Sequence, residues 1–342
     1  MMPDPLLSLA VAAAIGGALA LIFWPESGLF WRWQRTRQMT ERVLIEDALK
    51  HLYEEQIEGR CASRASLAAA LRISAGQATI LLTKMAERQL LEPGADSICL
   101  TAAGTEHALH IIRAHRLWER HLAEETGYSA GEWHERAHQQ EHLLSPADLQ
   151  ALASRLNNPV YDPHGDPIPN ADGQIGTQDQ RSLPDLAVGE VGRIVHLEDE
   201  PAAVYAQLVA EGLAPGMEIR VFEATPQRIR FWADVDERVL APLLAANVSV
   251  MPLVVTEASL QQACPSERLT ALKPGQGAVV AGIAPTCRGM ERRRFFDLGV
   301  LPGTRIEAVL ASPSGNPIAY RIRGSLIALR HDQANHIQIT TV

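Results

Sequence analysis

The sequence predicts a multidomain α+β chain: an N-terminal transmembrane helix, a winged helix-turn-helix, an all-α domain and two small β-barrels. Three observations carry this reading. An uncharged apolar run spans Leu6 to Trp24, helical apolar periods fill most of residues 40–155, and a set of Gly/Pro turns recurs at a fixed offset after residue 183. At 342 residues the chain is too long for one ordinary core, and its 46% hydrophobic content excludes wholesale disorder.

The apolar run is long enough to cross a bilayer as a helix. Phe23, Trp24, Phe30, Trp31 and Trp33 supply an aromatic belt, and Arg32, Arg35, Arg37 and Arg42 follow. No Lys or Arg precedes the run. The positive-inside rule therefore puts the N-terminus outside the cytoplasmic membrane and the rest of the chain in the cytoplasm. A cleaved signal peptide would carry basic residues first and a shorter apolar core. Cys61, Cys99, Cys264 and Cys287 lie far apart with no CxxC spacing, which excludes a disulfide framework or thiolate zinc site and fits a reducing compartment.

Residues 40–55 carry Val43, Leu44, Ala48, Leu49, Leu52 and Tyr53 at the spacing of an amphipathic helix. A short helix over Ser66–Leu71, a turn at Ile73-Ser74 and a helix over Ala75–Gln89 follow the helix-turn-helix plan. Leu90–Thr101, with Pro93-Gly94 at its centre, predicts a hairpin wing. Helices are expected over Ala102–Glu125 and Ala130–Leu143, and Ser145-Pro146 starts another. Between 157 and 182 four Xaa-Pro pairs remove any apolar period, giving a linker or an ordered loop. Gly189, Gly212, Pro215 and Gly216 then recur as Gly275, Gly299, Pro302 and Gly303, 86 or 87 residues on. That is a duplicated barrel. Expected segments are an anchor with its basic flank (1–37), a winged helix (38–102), a helical domain (103–156), a Pro/Asp-rich linker (157–182) and barrels over 183–256 and 267–342.

Seven of the twelve histidines fall between residues 107 and 142. His134, His138, Glu141 and His142 stand at i, i+4, i+7 and i+8, on one face of a helix. His115 and Glu119 form a second i, i+4 pair on the preceding helix. Imidazole and carboxylate are ligands for divalent Mn, Fe or Zn, and this spacing lets two side chains reach one ion. A solvated polar face accounts for one such pair. Two clusters on consecutive helices favour metal.

Residues 114–169, from AHRLWERHLAEE to the closing DPHGDPIP, resemble the metal-binding and dimerisation segment of the diphtheria-toxin-repressor family. The preceding helices resemble that family's DNA-binding domain. The resemblance implies a homodimer formed through the helices of 103–155, and an ancillary metal site of His115, Glu119 and His134. It also implies a primary site of Asp47, His138, Glu141 and His142, with Asp47 drawn from the DNA-binding domain. Position 138 is His, where iron-sensing relatives have Cys and manganese-sensing ones Glu. Lys50 stands where manganese-selective relatives have a carboxylate, which argues against a binuclear manganese site. The donor set suits Fe(II) or Zn(II) ahead of Mn(II). Residues 272–337 resemble FeoA, the SH3-like partner of the ferrous-iron transporter, and 183–253 resemble it more weakly. Glu198, Asp199 and Glu200, in the first barrel's first loop, could by that resemblance reach the ancillary metal, but a solvated charge run is the expectation, since such runs ordinarily face water.

The resemblance implies operator DNA as partner, with Arg64, Ser74, Gln77, Thr79 and Lys84 as the contacting residues. Charge opposes it: segment 41–104 holds seven Lys/Arg against nine Asp/Glu, and the whole chain is at −9. Two functions therefore stand side by side. One is a membrane-tethered, metal-dependent transcriptional regulator. The other is a metal-sensing regulatory subunit of a ferrous-iron transporter that does not bind DNA. Catalysis has little support. There is no P-loop, the GxSxG letters at 127–131 lie between two expected helices rather than after a strand, and the HExxH letters at 134–138 fall in the histidine-rich helix read as a metal site.

Overall fold

The computed structural model describes residues 29–60, 62–92, 98–176, 179–233, 236–253 and 267–341, with side chains from residue 40 onward. The expected membrane span, Leu6 to Trp24, lies outside them. No single helix among the described residues is long and apolar enough to cross a membrane. The chain divides into two units at Ile112/Arg113.

In the first unit, helix α1 (Leu29–Ile57) begins earlier than its apolar period, within the basic flank. Helices α2 (Arg64–Ala70) and α3 (Ala75–Glu87) meet at 106°, the angle of a helix-turn-helix. Each starts from a serine capping box, Ser63 with Ser66 and Ser74 with Gln77, and this fixes where both helices begin. Ile45, Leu49 and Leu52 of α1 form one buried core with Leu67, Leu81 and Met85. Burying each such side chain contributes about 2 kcal/mol. Bridges at Ala62–Ile98 and Leu91–Leu100 form the base of the wing, whose tip at 93–97 lies outside the described residues.

Helix α4 (Ala102–Glu125) starts in the first unit. The second unit holds its C-terminal half with α5 (Ala130–Glu141) and α6 (Pro146–Arg155), the latter capped by Ser145 with Pro146 in its first turn. Ala114, Leu117, Leu149, Leu152 and Ile168 form the core there. The Pro/Asp-rich segment is no spacer. The Asp162 carboxylate accepts the backbone N–H groups of His164, Gly165 and Asp166 at 2.8–2.9 Å. Arg116 donates to the Pro167 carbonyl at 2.7 Å, binding this strap to α4. The prolines here set a rigid turn whose backbone N–H groups at 164–166 are satisfied by Asp162.

Two six-stranded antiparallel sheets follow, in the segments expected to be barrels. The first contains β1 (Arg181–Ser182), β2 (Val191–Leu197), helix α7 (Ala202–Ala210), β3 (Glu218–Ala224), β4 (Ile229–Ala233), β5 (Asp236–Leu240), helix α8 (Pro242–Ala245) and β6 (Val248–Pro252). The second contains β7 (Glu267–Arg268), β8 (Gly277–Ile283), helix α9 (Gly289–Asp297), β9 (Arg305–Ala311), β10 (Ile318–Ile322), β11 (Ser325–Leu329), helix α10 (His331–Asn335) and β12 (Ile337–Thr341). The strand orders, β1-β6-β2-β3-β4-β5 and β7-β12-β8-β9-β10-β11, correspond one to one. Gly216 and Gly303 both adopt positive φ, 96° and 86°, and donate to Ile194 and Val280 at matching places. Only glycine enters that turn without strain, so the repeat in sequence is a repeat in backbone.

Candidate metal centre

Helix α4 places His115 and Glu119 one turn apart, and both side chains are buried. Helix α5 presents His134, His138 and Glu141, and His142 forms its C-cap. Its register is pinned by Trp133, which is buried and donates its indole N–H to the Tyr128 carbonyl at 3.1 Å. The four-residue face expected on α5 divides between two clusters.

In the first cluster, His115 Nε2 lies 3.1 Å from Glu119 Oε1, and His134 Nδ1 lies 3.4 Å from the same oxygen. His164, which the sequence analysis did not single out, brings its Nε2 to 3.6 Å from that oxygen. One buried carboxylate thus gathers three imidazoles. Asp199 Oδ2 stands 3.0 Å from His134 Nδ1 and 3.9 Å from His164 Nε2, and Glu200 Oε1 lies 3.2 Å from His134 Nε2. The expectation of a solvated run at 198–200 is therefore corrected. Only 16% of the Asp199 side chain is exposed, against 71% for Glu200. The Leu197 N–H donates to the His164 carbonyl at 2.9 Å, which carries the next residues over the histidines.

Backbone geometry explains why His164 reaches inward. Gly165 has φ of 104°, and a Cβ there would fall 1.8 Å from the Val195 carbonyl oxygen. The strap can approach β2 this closely only without a side chain.

The second cluster lies at the end of α5. His138 Nδ1 is 3.0 Å from Glu141 Oε1, and His142 Nε2 is 3.4 Å from it. The other Glu141 oxygen, Oε2, meets His115 Nδ1 at 2.5 Å. Asp47, the remaining predicted ligand, belongs to the first unit, on α1.

In the first cluster the carboxylates raise the pKa of the imidazoles that they face. Hydrogen bonds to Asp199, then Glu119 and Glu200, push His134 up to about 12. Burial would lower His164, but Glu119, Asp162 and Asp199 outweigh it and raise it to about 9. Burial would raise Glu119, but His115 and His134, with His164 close by, hold it well below the usual carboxylate range. Both ring nitrogens of His164 are buried with no hydrogen-bond partner, which is rare for so polar a group. An ion between His164, Glu119 and Asp199 would satisfy it, and the mixed N/O donors suit a first-row divalent metal. The residues fit a metal. His121, by contrast, pairs with Glu125 at 2.8 Å and belongs to a surface network.

The family model for the iron dependent repressor metal binding and dimerisation domain matches residues 101–170, and that for the FeoA domain matches 267–341. The iron-dependent repressor IdeR of Mycobacterium leprae is 30% identical over 166 residues, covering 48% of this chain and 69% of that protein. The chain belongs to the iron-dependent repressor family. The relatives that show the family are repressors, and the chain is not an enzyme. The diphtheria toxin repressor of Corynebacterium diphtheriae is 30% identical over 125 residues, 36% of this chain and 55% of that one. The structure of a manganese-dependent transcriptional repressor complex with manganese superposes with a TM-score of 0.56 at 29% identity, covering 61% of this chain and all of that one. The structure of ScaR with bound Zn2+ gives 0.51 at 26%, covering 61% and 99%.

In this family member, several of the expected DNA-contacting residues are engaged within the protein. Ser74 and Gln77 form the capping box of α3, with Ser74 N–H donating to Gln77 Oε1 at 2.9 Å. The Thr79 hydroxyl donates to the Ala75 carbonyl at 3.0 Å and lies 3.5 Å from an Arg64 nitrogen. Lys84 Nζ pairs with Glu41 at 2.6 Å, and Arg88 shares that carboxylate at 3.2 Å. Ile80, on the same helix, is exposed.

Proposed function

We propose that this chain is a metal-dependent DNA-binding transcriptional regulator of metal-ion homeostasis, working as a homodimer and tethered to the cytoplasmic membrane through residues 6–24. The observation that carries the reading is the convergence of His115, His134 and His164 on the buried Glu119 carboxylate. One divalent ion would be held by that set with Asp199, and a second by His138, Glu141 and His142. The family resemblance, rather than a distance, assigns Asp47 to the second ion. Fe(II) and Zn(II) suit these donors ahead of Mn(II). When bound, the ion supplies positive charge at the centre of converging carboxylates and imidazoles. The residues themselves do the rest: Glu119 orients three rings, and Glu141 ties the two clusters together through His115.

The test is a gel shift of promoters of metal-transport genes with Fe(II), Zn(II) and Mn(II) in turn. Metal-dependent retardation supports the proposal. No shift at low salt, with metal shown to be bound, removes it.

A second reading has its own support: a metal-sensing regulatory subunit of a ferrous-iron transporter, acting through the FeoA-like barrels. The pairing of Lys84 and Arg88 with Glu41 removes cations that a duplex reader would spend on phosphate. A probable metal transport system membrane protein of Chlamydia trachomatis is 39% identical over 70 residues, 20% of this chain and 16% of that protein. Capture of a transporter by a variant with Ser74, Gln77 and Thr79 all replaced by alanine would favour this reading. Loss of both capture and regulation in that variant would favour the first.

A further inference from the structure

Beside the first cluster, the second unit forms an open-sided cavity of about 280 Å³ where both barrels meet α5 and the strap, and its Trp133 and Tyr205 also pack against His164. Tyr205, Leu213 and Met217 of the first barrel give it an apolar wall. Arg238 of the first barrel and Arg268 and Arg288 of the second also line it, with no Asp or Glu among the described lining residues.

The arginines are incompletely neutralised. Arg238 and Arg268 share one carboxylate, Asp236, with Arg238 at 3.0 Å. Arg268 gives its remaining donor bond to the Asn335 carbonyl at 2.7 Å. Arg288 bonds only carbonyl oxygens, those of Pro163 at 2.9 Å and Pro285 at 3.4 Å, and its guanidinium stands 6.0 Å over the Trp133 ring. The Nε of Arg238 is buried and has no hydrogen-bond partner. Burial pulls the Arg288 pKa down, and Tyr205, Asp162 and Glu124 offset the lost hydration only in part. Three guanidiniums around a partly apolar hollow, with one carboxylate between them, suit a planar or tetrahedral oxyanion, which accepts paired N–H bonds. The volume lies at the small end of ligand sites.

We propose that this cavity binds a small oxyanion, a carboxylate or phosphate, held by Arg238, Arg268 and Arg288. Bound there, the anion joins the two barrels to each other and to the strap that carries His164. The duplicated barrel thereby gains a role, since two of the three guanidiniums come from the second copy.

The test uses the metal-free full-length chain in detergent, in chloride buffer at fixed ionic strength. Inorganic phosphate and, separately, succinate are titrated by calorimetry, with thermal unfolding followed alongside. Saturable binding of either, accompanied by a rise in unfolding temperature, is expected. Phosphate alone would identify a tetrahedral ligand and succinate alone a carboxylate. Arg238→Gln should weaken binding at least tenfold. Arg238→Lys, which keeps the charge and removes the buried Nε, guards against misfolding and should weaken it less. A response that never saturates for either anion overturns the proposal, and so does saturable binding unchanged in Arg238→Gln and Arg288→Gln.

Discussion

His115 Nδ1 stands 2.5 Å from Glu141 Oε2, so one hydrogen bond joins the two histidine clusters. His115 turns its other nitrogen to Glu119, and Glu141 turns its other oxygen to His138. A ligating imidazole that gives its second N–H to a carboxylate is fixed in tautomer and orientation. Here that carboxylate is itself a proposed ligand of the second cluster. Replacing Glu141 with Gln should weaken metal uptake at both clusters, by about 10–100-fold. Titration followed by metal analysis checks this. Loss confined to the second cluster would show that the hydrogen bond carries no coupling.

Metal uptake should strengthen as pH rises. With pKa values of about 12 and about 9, His134 and His164 are both protonated at neutral pH when no ion is present. Glu119, held low, is ionised throughout that range. A cation entering the first cluster must therefore displace protons from imidazole, and lower pH favours the protons. About two protons should be released per ion at pH 7. Calorimetry in buffers of different ionisation enthalpy measures this number, and uptake with no proton release would contradict it.

Much of this was legible in the residues themselves. The apolar period of α1, the turn at Ile73-Ser74, the serine cap of α6 and the paired Gly/Pro turns place helices and barrels because each is a local signal. His115, Glu119, His134, His138, Glu141 and His142 are visible for the same reason, since helical spacing puts them on shared faces. His164 is not, and Asp199 is visible only through the family resemblance. A lone histidine in a Pro/Asp turn has no period, and a Glu-Asp-Glu run ordinarily faces water. Both depend on β2 meeting the strap at Gly165, a contact between segments some 30 residues apart. The pairing of Lys84 with Glu41 is equally long-range.

Gly165→Ala tests that contact. The new methyl would collide with the Val195 carbonyl, and the positive φ disfavours any L side chain. A cost of about 3 kcal/mol or more is expected, with the strap displaced from β2. Thermal unfolding should show the loss. Metal affinity of the first cluster should fall with it, while that of His138, Glu141 and His142 changes little. Equal losses at both clusters would mean that the strap supports the whole helical domain rather than His164.

Glu41 restrains the only described basic residues of α3 and its C-cap, Lys84 and Arg88. An exposed ion pair of this kind is worth under about 1 kcal/mol, so Glu41→Gln should leave stability almost unchanged. It should also free two cations beside the helix that would enter DNA. If α3 reads a duplex, affinity should rise several-fold, and the dependence of log K on log salt should steepen by about one to two. Gel shifts across a salt series, with metal bound, measure both. Unchanged affinity and slope would mean that Lys84 and Arg88 do not face phosphate. The acidic balance of the winged helix would then belong to a protein-binding surface, and the transporter-subunit reading would gain.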